Sequence, residues 1–440
     1  MSLRRHLVGL ARRTTLQRVF ANSAWVGADN VLRLVVSFFV GAWVARHLGP
    51  DEFGLLSFAV AYCAPFGAVV GLGLNAIVVR DIVREPAAAG EILGTASALK
   101  AGAGLAAVVV CAASLFVHSG LEPSVRVLVG VTMAGVVLQF VDVFDLWFQS
   151  QGQARVSAWV RSSASLVVNT LRVVLIVFDA PLIWFAATAG FELVACGAGW
   201  FTAWRRSAGF QRWCVSARRC GELMREGWLV AVAGVAVQVQ SYFDQVLLAE
   251  VRDTTELGYY AAALRLVMIF GLVPTVLGVA AAPEVARAYV DAPTLYENRL
   301  VRLYRAAALS FVVIWLPLVL FAEEIVSIVF GASYEATAGL LAVAAARMLF
   351  TSLGAVRGLF LTNERLNRHG TLTAVVAAFA NVGLCLVLVP KWGATGGAVA
   401  ALVSFGLNVV ALEVLHPGGR RNLALMSAGF GLAKTSRRRE

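Results

Sequence analysis

Charge is scarce in this chain of 440 residues: charged side chains make up 14% of it, against roughly a quarter in soluble domains. Hydrophobic residues make up 59%, so little of the chain can face water and no stretch remains for a soluble domain. Metal and disulfide spacings are missing too. His6, His47, His118, His369 and His416 are scattered, with no HExxH-type pair. Cys63, Cys111, Cys196 and Cys385 fall inside apolar runs, and Cys214 and Cys220 lie in a basic loop at neither disulfide nor zinc spacing, which favours structural thiols. There is no nucleophile–base pair and no Gly-rich phosphate loop, so the chain does not read as an enzyme. The net charge of +11 does not indicate nucleic acid, because Lys and Arg stand between apolar runs rather than along one polar face with interleaved aromatics.

What the chain has instead is apolar runs of membrane-crossing length, at 24–45, 55–79, 93–117, 125–148, 158–178 and 182–204, then at 228–249, 259–282, 306–321, 338–361, 372–389 and 394–415. A helix crossing about 30 Å of hydrocarbon needs roughly 20 residues, so these runs use up the chain. They predict an all-α polytopic membrane protein of about twelve transmembrane helices in two six-helix lobes. Residues 1–21 read as a basic interfacial segment, 22–204 as the first lobe, 205–225 as a basic linker, 226–415 as the second lobe and 416–440 as a basic tail. The first run is of full span length and polar in places, which argues against a cleaved signal peptide. Charge tests the count. One set of connections carries Arg80 and Arg84, Arg155, the linker, Arg287, Arg299 and Arg302, Arg365 and Arg368, and the tail, whereas the alternate set holds only Arg46, Arg126, Arg252 and Lys391. That alternation places both termini in the cytoplasm.

The two lobes also echo one another. Residues 46–61, RHLGPDEFGLLSFAVA, form a polar break with Gly-Pro between apolar runs, and residues 252–264, RDTTELGYYAAAL, place Glu256 and Gly258 as Glu52 and Gly54 are placed, 204 residues later. Both predict tight hairpins on the outer side of two related halves. Gly67/Gly71, Gly354/Gly358 and Gly393/Gly397 have the spacing of close helix packing, and Pro65, Pro274 and Pro317 predict kinks.

Charges inside spans cost several kcal/mol unless they face a wet cavity or a partner. Arg161, Ser165, Asn169 and Arg172 share one helical face of the fifth span, a ladder of donors suited to a phosphorylated head group. The competing reading takes Arg161 to the membrane surface and pairs Arg172 with Asp142 or Asp145. Asp29 and Arg33 stand at i and i+4 on the first span, where they can neutralise each other. Arg347 and Thr351 offer an opposite wall, and Lys100, Arg265, Arg357, Glu192 and Glu413 complete the set of intramembrane charges. Asp29, Asp142, Asp145 and Asp244 are candidates for coupling transport to H⁺ or Na⁺, with no other cofactor expected.

The segments ARHLGPDEFGLLSFAVA (45–61), LWFQSQGQARVSAW (146–159), LGYYAAALRLVMIFGLVP (257–274), EEIVSIVFGASYEATAGLLAV (323–343) and VPKWGATGGAVAALVS (389–404) together resemble the Wzx-type polysaccharide or oligosaccharide flippases, of the superfamily that also holds the multidrug and toxin extruders. The resemblance covers most of the chain. It implies two lobes forming a V around a central cationic cavity and a substrate of polyprenyl-pyrophosphate-linked oligosaccharide, a repeat unit of exopolysaccharide, O-antigen or capsule, moved to the outer leaflet by alternating access. Its implied partners are that lipid, membrane lipid and other glycan assembly proteins. The family offers no single diagnostic binding motif, so Arg33, Arg161, Ser165, Asn169, Arg172, Arg265, Arg347 and Arg357 are cavity candidates on the helical-face reading. A drug exporter, with an acid-dominated cavity, and a membrane glycan polymerase or ligase, with catalytic groups on a long outer loop, are the alternatives. So is a non-transporting scaffold.

Overall fold

The computed structural model describes the backbone of residues 2–117, 122–207 and 213–431, with side chains from residue 31 onward except several between 272 and 280. The basic N-terminal segment and Asp29 therefore fall outside the described side chains, as do the last residues of the tail. Among the described residues every regular element is helical.

The first lobe comprises α1 (Ser2–Gly71), α2 (Asn75–Arg84), α3 (Ala89–Val117), α4 (Pro123–Val137), α5 (Val143–Ser150), α6 (Ala154–Val177) and α7 (Leu182–Arg206). The second comprises α8 (Ala217–Val251), α9 (Thr254–Phe270), α10 (Leu272–Asp291), α11 (Pro293–Leu320), α12 (Ala322–Phe330), α13 (Thr337–Ala346), α14 (Met348–Asn363), α15 (Asn367–Val409) and α16 (Pro417–Gly429). Two of the long helices are really hairpins of two crossings. Gly49 (φ 73°, ψ 173°) breaks α1 and Gly393 (φ 55°, ψ −134°) breaks α15; a backbone at positive φ suits glycine, and Pro50 biases the residue before it away from helix. Eight described segments are long and apolar enough to cross a membrane. Two of these contain the hairpins, and α8 and the α9–α10 pair supply the seventh and eighth crossings, which brings the total to the expected twelve.

The ends of the expected spans shift where the chain turns. The second crossing stops at Gly71, because Leu72 (φ 49°) and Gly73 (φ 64°) redirect the chain into α2. That short helix lies on the lobe through Ile77, Val78 and Ile82. The eighth breaks at Gly271, since Pro274 has no N–H to offer the carbonyl of Phe270. Pro65 and Pro317 sit inside α1 and α11. Of the predicted glycine pairs, Gly397 does meet another helix, with its Cβ position 3.3 Å from the Asp244 Cβ, but Gly71 and Gly358 face open space. A close crossing that the spacing did not reveal sets Gly135 of α4 against Gly190 of α7, where a Cβ would stand 3.0 Å from the opposing Cα.

Three hydrophobic clusters define the shape. One lies at the end marked by Gly49, Asp253 and Gly393, and draws on both lobes, from Phe53, Phe58 and Leu128 to Leu257, Tyr260, Phe330 and Tyr334. The other two lie towards the linker and are separate: Ile82, Ile92, Trp147 and Trp200 in the first lobe, and Tyr296, Tyr304, Phe360 and Met426 in the second. One shared core at the hairpin end and two separate cores at the linker end make a V open towards the linker.

The hairpin end is sealed by the repeat itself. A Cβ on Gly54 would overlap the Thr254 carbonyl, and a Cβ on Gly258 would overlap the Pro50 carbonyl. Gly54 and Gly258 are the matched positions of the two hairpins, and so are Pro50 and Thr254. Around this crossing Thr254 donates to Asp51, Arg46 to the Ser327 and Ile328 carbonyls, and Tyr334 to the Ala45 carbonyl at 2.8 Å.

The linker docks on the first lobe. The Cys214 and Ser216 amides donate to the Gly90 carbonyl (3.4 Å) and Thr95 (3.1 Å), and Trp213 packs against Phe144. Arg219 donates to Glu85 at 2.5 Å, a bond that holds its proton more tightly than usual. Consequently α8 starts in the core of the first lobe, through Leu223, and ends packed on α15 in the second.

Candidate functional site: an arginine-lined cavity between the lobes

Between the arms of the V lies a cavity of about 590 Å³. Arg172, Arg265 and Arg347 line it, together with Ser57, Gln238, Ser241, Tyr242, Gln245 and Thr351. It continues into a second space of about 750 Å³ bounded by Gly67, Thr132, Gln139 and Gln238. No Asp or Glu is among the described lining residues of either.

The three arginines arrive from different helices and are held differently. Arg172 on α6 donates through Nε to the Thr188 hydroxyl of α7 at 3.0 Å. Arg265 on α9 reaches across the lobes, donates to the Gly41 carbonyl at 3.2 Å and lies 5.6 Å from the Phe53 ring centroid. It needs glycine at 41, because a Cβ there would overlap the guanidinium. Arg347 stands at the junction of α13 and α14, with Thr351 one turn on, and its Nη1 is buried without a hydrogen-bond partner. A buried guanidinium N–H with no acceptor is costly in the absence of a ligand. Fixed forks of donors around a wet space suit a di-anionic or more highly charged oxyanion, because each guanidinium presents parallel N–H groups to two oxygens.

The other predicted residues are placed elsewhere. On the α6 ladder only Arg172 lines the cavity. Arg161 pairs with Asp145 and lies 5.5 Å from the Trp200 ring centroid. Asn169 donates to Ser37 of α1 at 3.1 Å and to the Ser165 carbonyl at 2.8 Å, so Ser165 and Asn169 join the first and fifth crossings. Arg33 is half-buried and not among the described lining residues. Arg357 is buried in a polar knot: it pairs with Glu413 at 2.7 Å and donates to Thr373, while His369 and Asn422 also contact Glu413. Asp142 accepts from Lys100 at 2.7 Å, and Lys100 also donates to Asn75. Sequence reasoning could list these charges but could not choose their partners, since each pair joins two different helices through packing.

Asp244 differs from Asp142, Asp145 and Glu413, each of which is paired with a cation, because no cation pairs with it among the described contacts. It is wholly buried on α8, accepts from the Tyr260 hydroxyl at 2.5 Å and from the Gln245 amide at 2.9 Å. Gln240, one turn before it, and Asn381 both donate to the Ser404 hydroxyl, and the Gln240 Oε1 is buried without a partner. These residues join α8 to both arms of α15. Cys214 is exposed and Cys220 half-exposed, while the other four cysteines are buried; all six are free thiols.

Several solved structures share the fold. An inward-facing multidrug resistance MATE transporter of the MOP superfamily aligns with TM-score 0.71 and 16% identity over 91% of this chain and 96% of its own. A lipid II flippase, MurJ, in an inward closed conformation aligns with TM-score 0.73 and 13% identity over 93% of this chain and 92% of its own. A MOP superfamily transporter from Pyrococcus furiosus, described with a binding pocket of reverse polarity, gives 0.60 and 15% over 91% and 96%. No protein of curated function matches the chain in sequence. The polysaccharide biosynthesis protein model matches residues 19–289, more than half of the chain and the whole of the first lobe beyond its basic leader, and by that match the chain belongs to the polysaccharide biosynthesis protein family.

Proposed function

We propose that this protein flips oligosaccharide carried on a polyprenyl pyrophosphate from the cytoplasmic to the outer leaflet of a bacterial inner membrane. The reading is supported above all by Arg172, Arg265 and Arg347, which converge from both lobes on a cavity sealed at the hairpin end. The linker end is the cytoplasmic face, with both termini there. A sugar cannot cross hydrocarbon unaided, because each hydroxyl would lose its hydrogen bonds to water at a cost of several kcal/mol. The arginines take the pyrophosphate, and the amides and hydroxyls of Gln139, Gln238, Ser241 and Gln245 replace water around the sugars. The polyprenyl tail stays in the bilayer, outside the gap between the lobes. Parting of Gly54 from Thr254 and of Gly258 from Pro50 then opens the hairpin end.

Net transport against a gradient needs a driving ion, and Asp244 is the candidate for H⁺ or Na⁺, since its exchange would change the fit of α8 against α15. A drug-exporter reading asks for acids facing an organic cation, and the described lining offers arginines instead. The test uses protein reconstituted in liposomes with a fluorescent polyprenyl-pyrophosphate oligosaccharide in both leaflets. The flippase reading expects the protein to equilibrate label between leaflets and Arg172→Ala with Arg347→Ala to abolish that exchange; equal exchange with and without protein would overturn it.

A further inference from the structure

A third space in the molecule has no part in the central pathway. It is a groove of about 500 Å³ on the outside of the second lobe, between α11, α14 and the end of α16. Leu309, Phe311, Val312, Leu349 and Phe430 line it, and Arg305 is its only charged lining residue among those described. Leu309, Val312 and Phe430 are exposed there. The position of Arg305 along α11 is informative. It is the last charged residue before the uncharged stretch 306–320, with exposed Arg302 one turn back towards the linker end. Arg305 thus stands where α11 enters the bilayer, and Leu309 and Val312 follow one and two turns deeper on the same side.

The groove is built rather than incidental. α16 comes so close to α11 at Gly429 that a Cβ there would stand 2.7 Å from the Tyr304 Cβ and 3.2 Å from the Val301 carbonyl. Behind it, Tyr304 donates to Asn422 of α16 at 2.7 Å. At the mouth, Arg305 donates through Nε to the Gly429 carbonyl at 3.3 Å, which fixes the guanidinium while its Nη groups make no described hydrogen bond. A fixed cation at headgroup depth above a recessed apolar channel is complementary to an anionic amphiphile, with phosphate at the cation and an acyl chain in the channel.

We infer that this groove is a binding site for an anionic phospholipid of the leaflet at the linker end, held by Arg305 with help from Arg302 and by the Leu309–Val312–Phe430 channel. The occupant is a structural lipid that seats α16 against α11, separate from the transported lipid.

Native mass spectrometry of the delipidated full-length protein, with phosphatidylglycerol and phosphatidylcholine added at equal concentration, tests the inference. The expected result is phosphatidylglycerol bound about tenfold more than phosphatidylcholine, the effect of one charge-assisted contact. Arg305→Ala loses that preference, Arg305→Lys keeps most of it, and Leu309→Trp, which fills the channel, reduces occupancy by both lipids. Equal occupancy by the two lipids, or an Arg305→Ala protein with its preference intact, would overturn the assignment. Displacement of phosphatidylglycerol by undecaprenyl phosphate at equimolar concentration would overturn it also, by giving the groove to the carrier lipid.

Discussion

Some intramembrane arginines line the cavity, whereas others, such as Arg161 and Arg357, are paired with acids away from it, and that division makes opposite predictions for substitution. Arg347 and Arg172 face the cavity. On the proposed function, replacing either with Ala removes a charge-assisted contact to the substrate, and transport should fall about tenfold or more in a flipping assay while protein amount and melting temperature stay unchanged. Glu413 is the opposite case. It holds Arg357, His369 and Asn422 in the interior, so Glu413→Ala leaves a buried guanidinium unpaired and should cost about 3–5 kcal/mol, seen as a lowered melting temperature and poor accumulation. Asp244→Asn keeps the size and the Tyr260 contact but removes the charge. If Asp244 exchanges the driving ion, the variant should bind substrate normally and no longer respond to an imposed H⁺ or Na⁺ gradient; a wild-type response would exclude that role. Residue type was legible in the sequence for all of these, and helical face for Arg172. The partners were not, because Arg161 finds Asp145 and Lys100 finds Asp142 through packing between helices, and the spacing of charges along one helix carries no record of its neighbour.

Among the elements, the two hairpins were the most legible. Gly49-Pro50 can only interrupt a helix economically, and the matched glycines at 54 and 258 stood out by their offset. What the offset could not reveal is that each glycine lies under a carbonyl of the other hairpin. A side chain at either position must push the hairpins apart. Gly54→Val should therefore expose the cavity at the hairpin end, measured as faster labelling of a cysteine placed at Ser57 by a membrane-impermeant maleimide added from outside. Labelling no faster than in the parent would show that the glycine contact does not hold the seal. Less legible were α2, α12 and α16, which were absorbed into spans, connections or tail. Short amphipathic helices bury only one face, as α2 does with Ile77, Val78 and Ile82, and ten residues of that pattern beside a longer apolar run look like its continuation. The junction at Arg347, between α13 and α14, was equally hidden.

Across the whole molecule, the arrangement of cores explains how a chain with so little polar surface can still open a wet path. The hairpin-end core is shared by both lobes, whereas the linker-end cores are separate. Movement of one arm against the other therefore need not break either of the two separate cores. Only the shared apex has to repack, and it is there that the close contacts are backbone against glycine and can part without leaving large cavities. The long helix α8, which carries Asp244, ties the two lobes together, because it begins in the core of the first lobe and ends packed on α15 in the second. Twelve crossings in two related halves were foreseeable from apolar runs and alternating charge, since both are properties of the chain itself. The direction in which the V opens was not, because it depends on which ends of the helices pack into a shared core. The most direct measurement is the sidedness of lipid-linked oligosaccharide in cells with and without this protein, by labelling only glycans that have reached the outer leaflet. A flippase predicts loss of outside label on removal of the protein, accumulation of the intermediate inside, and recovery with wild type but not with Arg172→Ala. Unchanged outside label in cells that lack the protein would contradict the account.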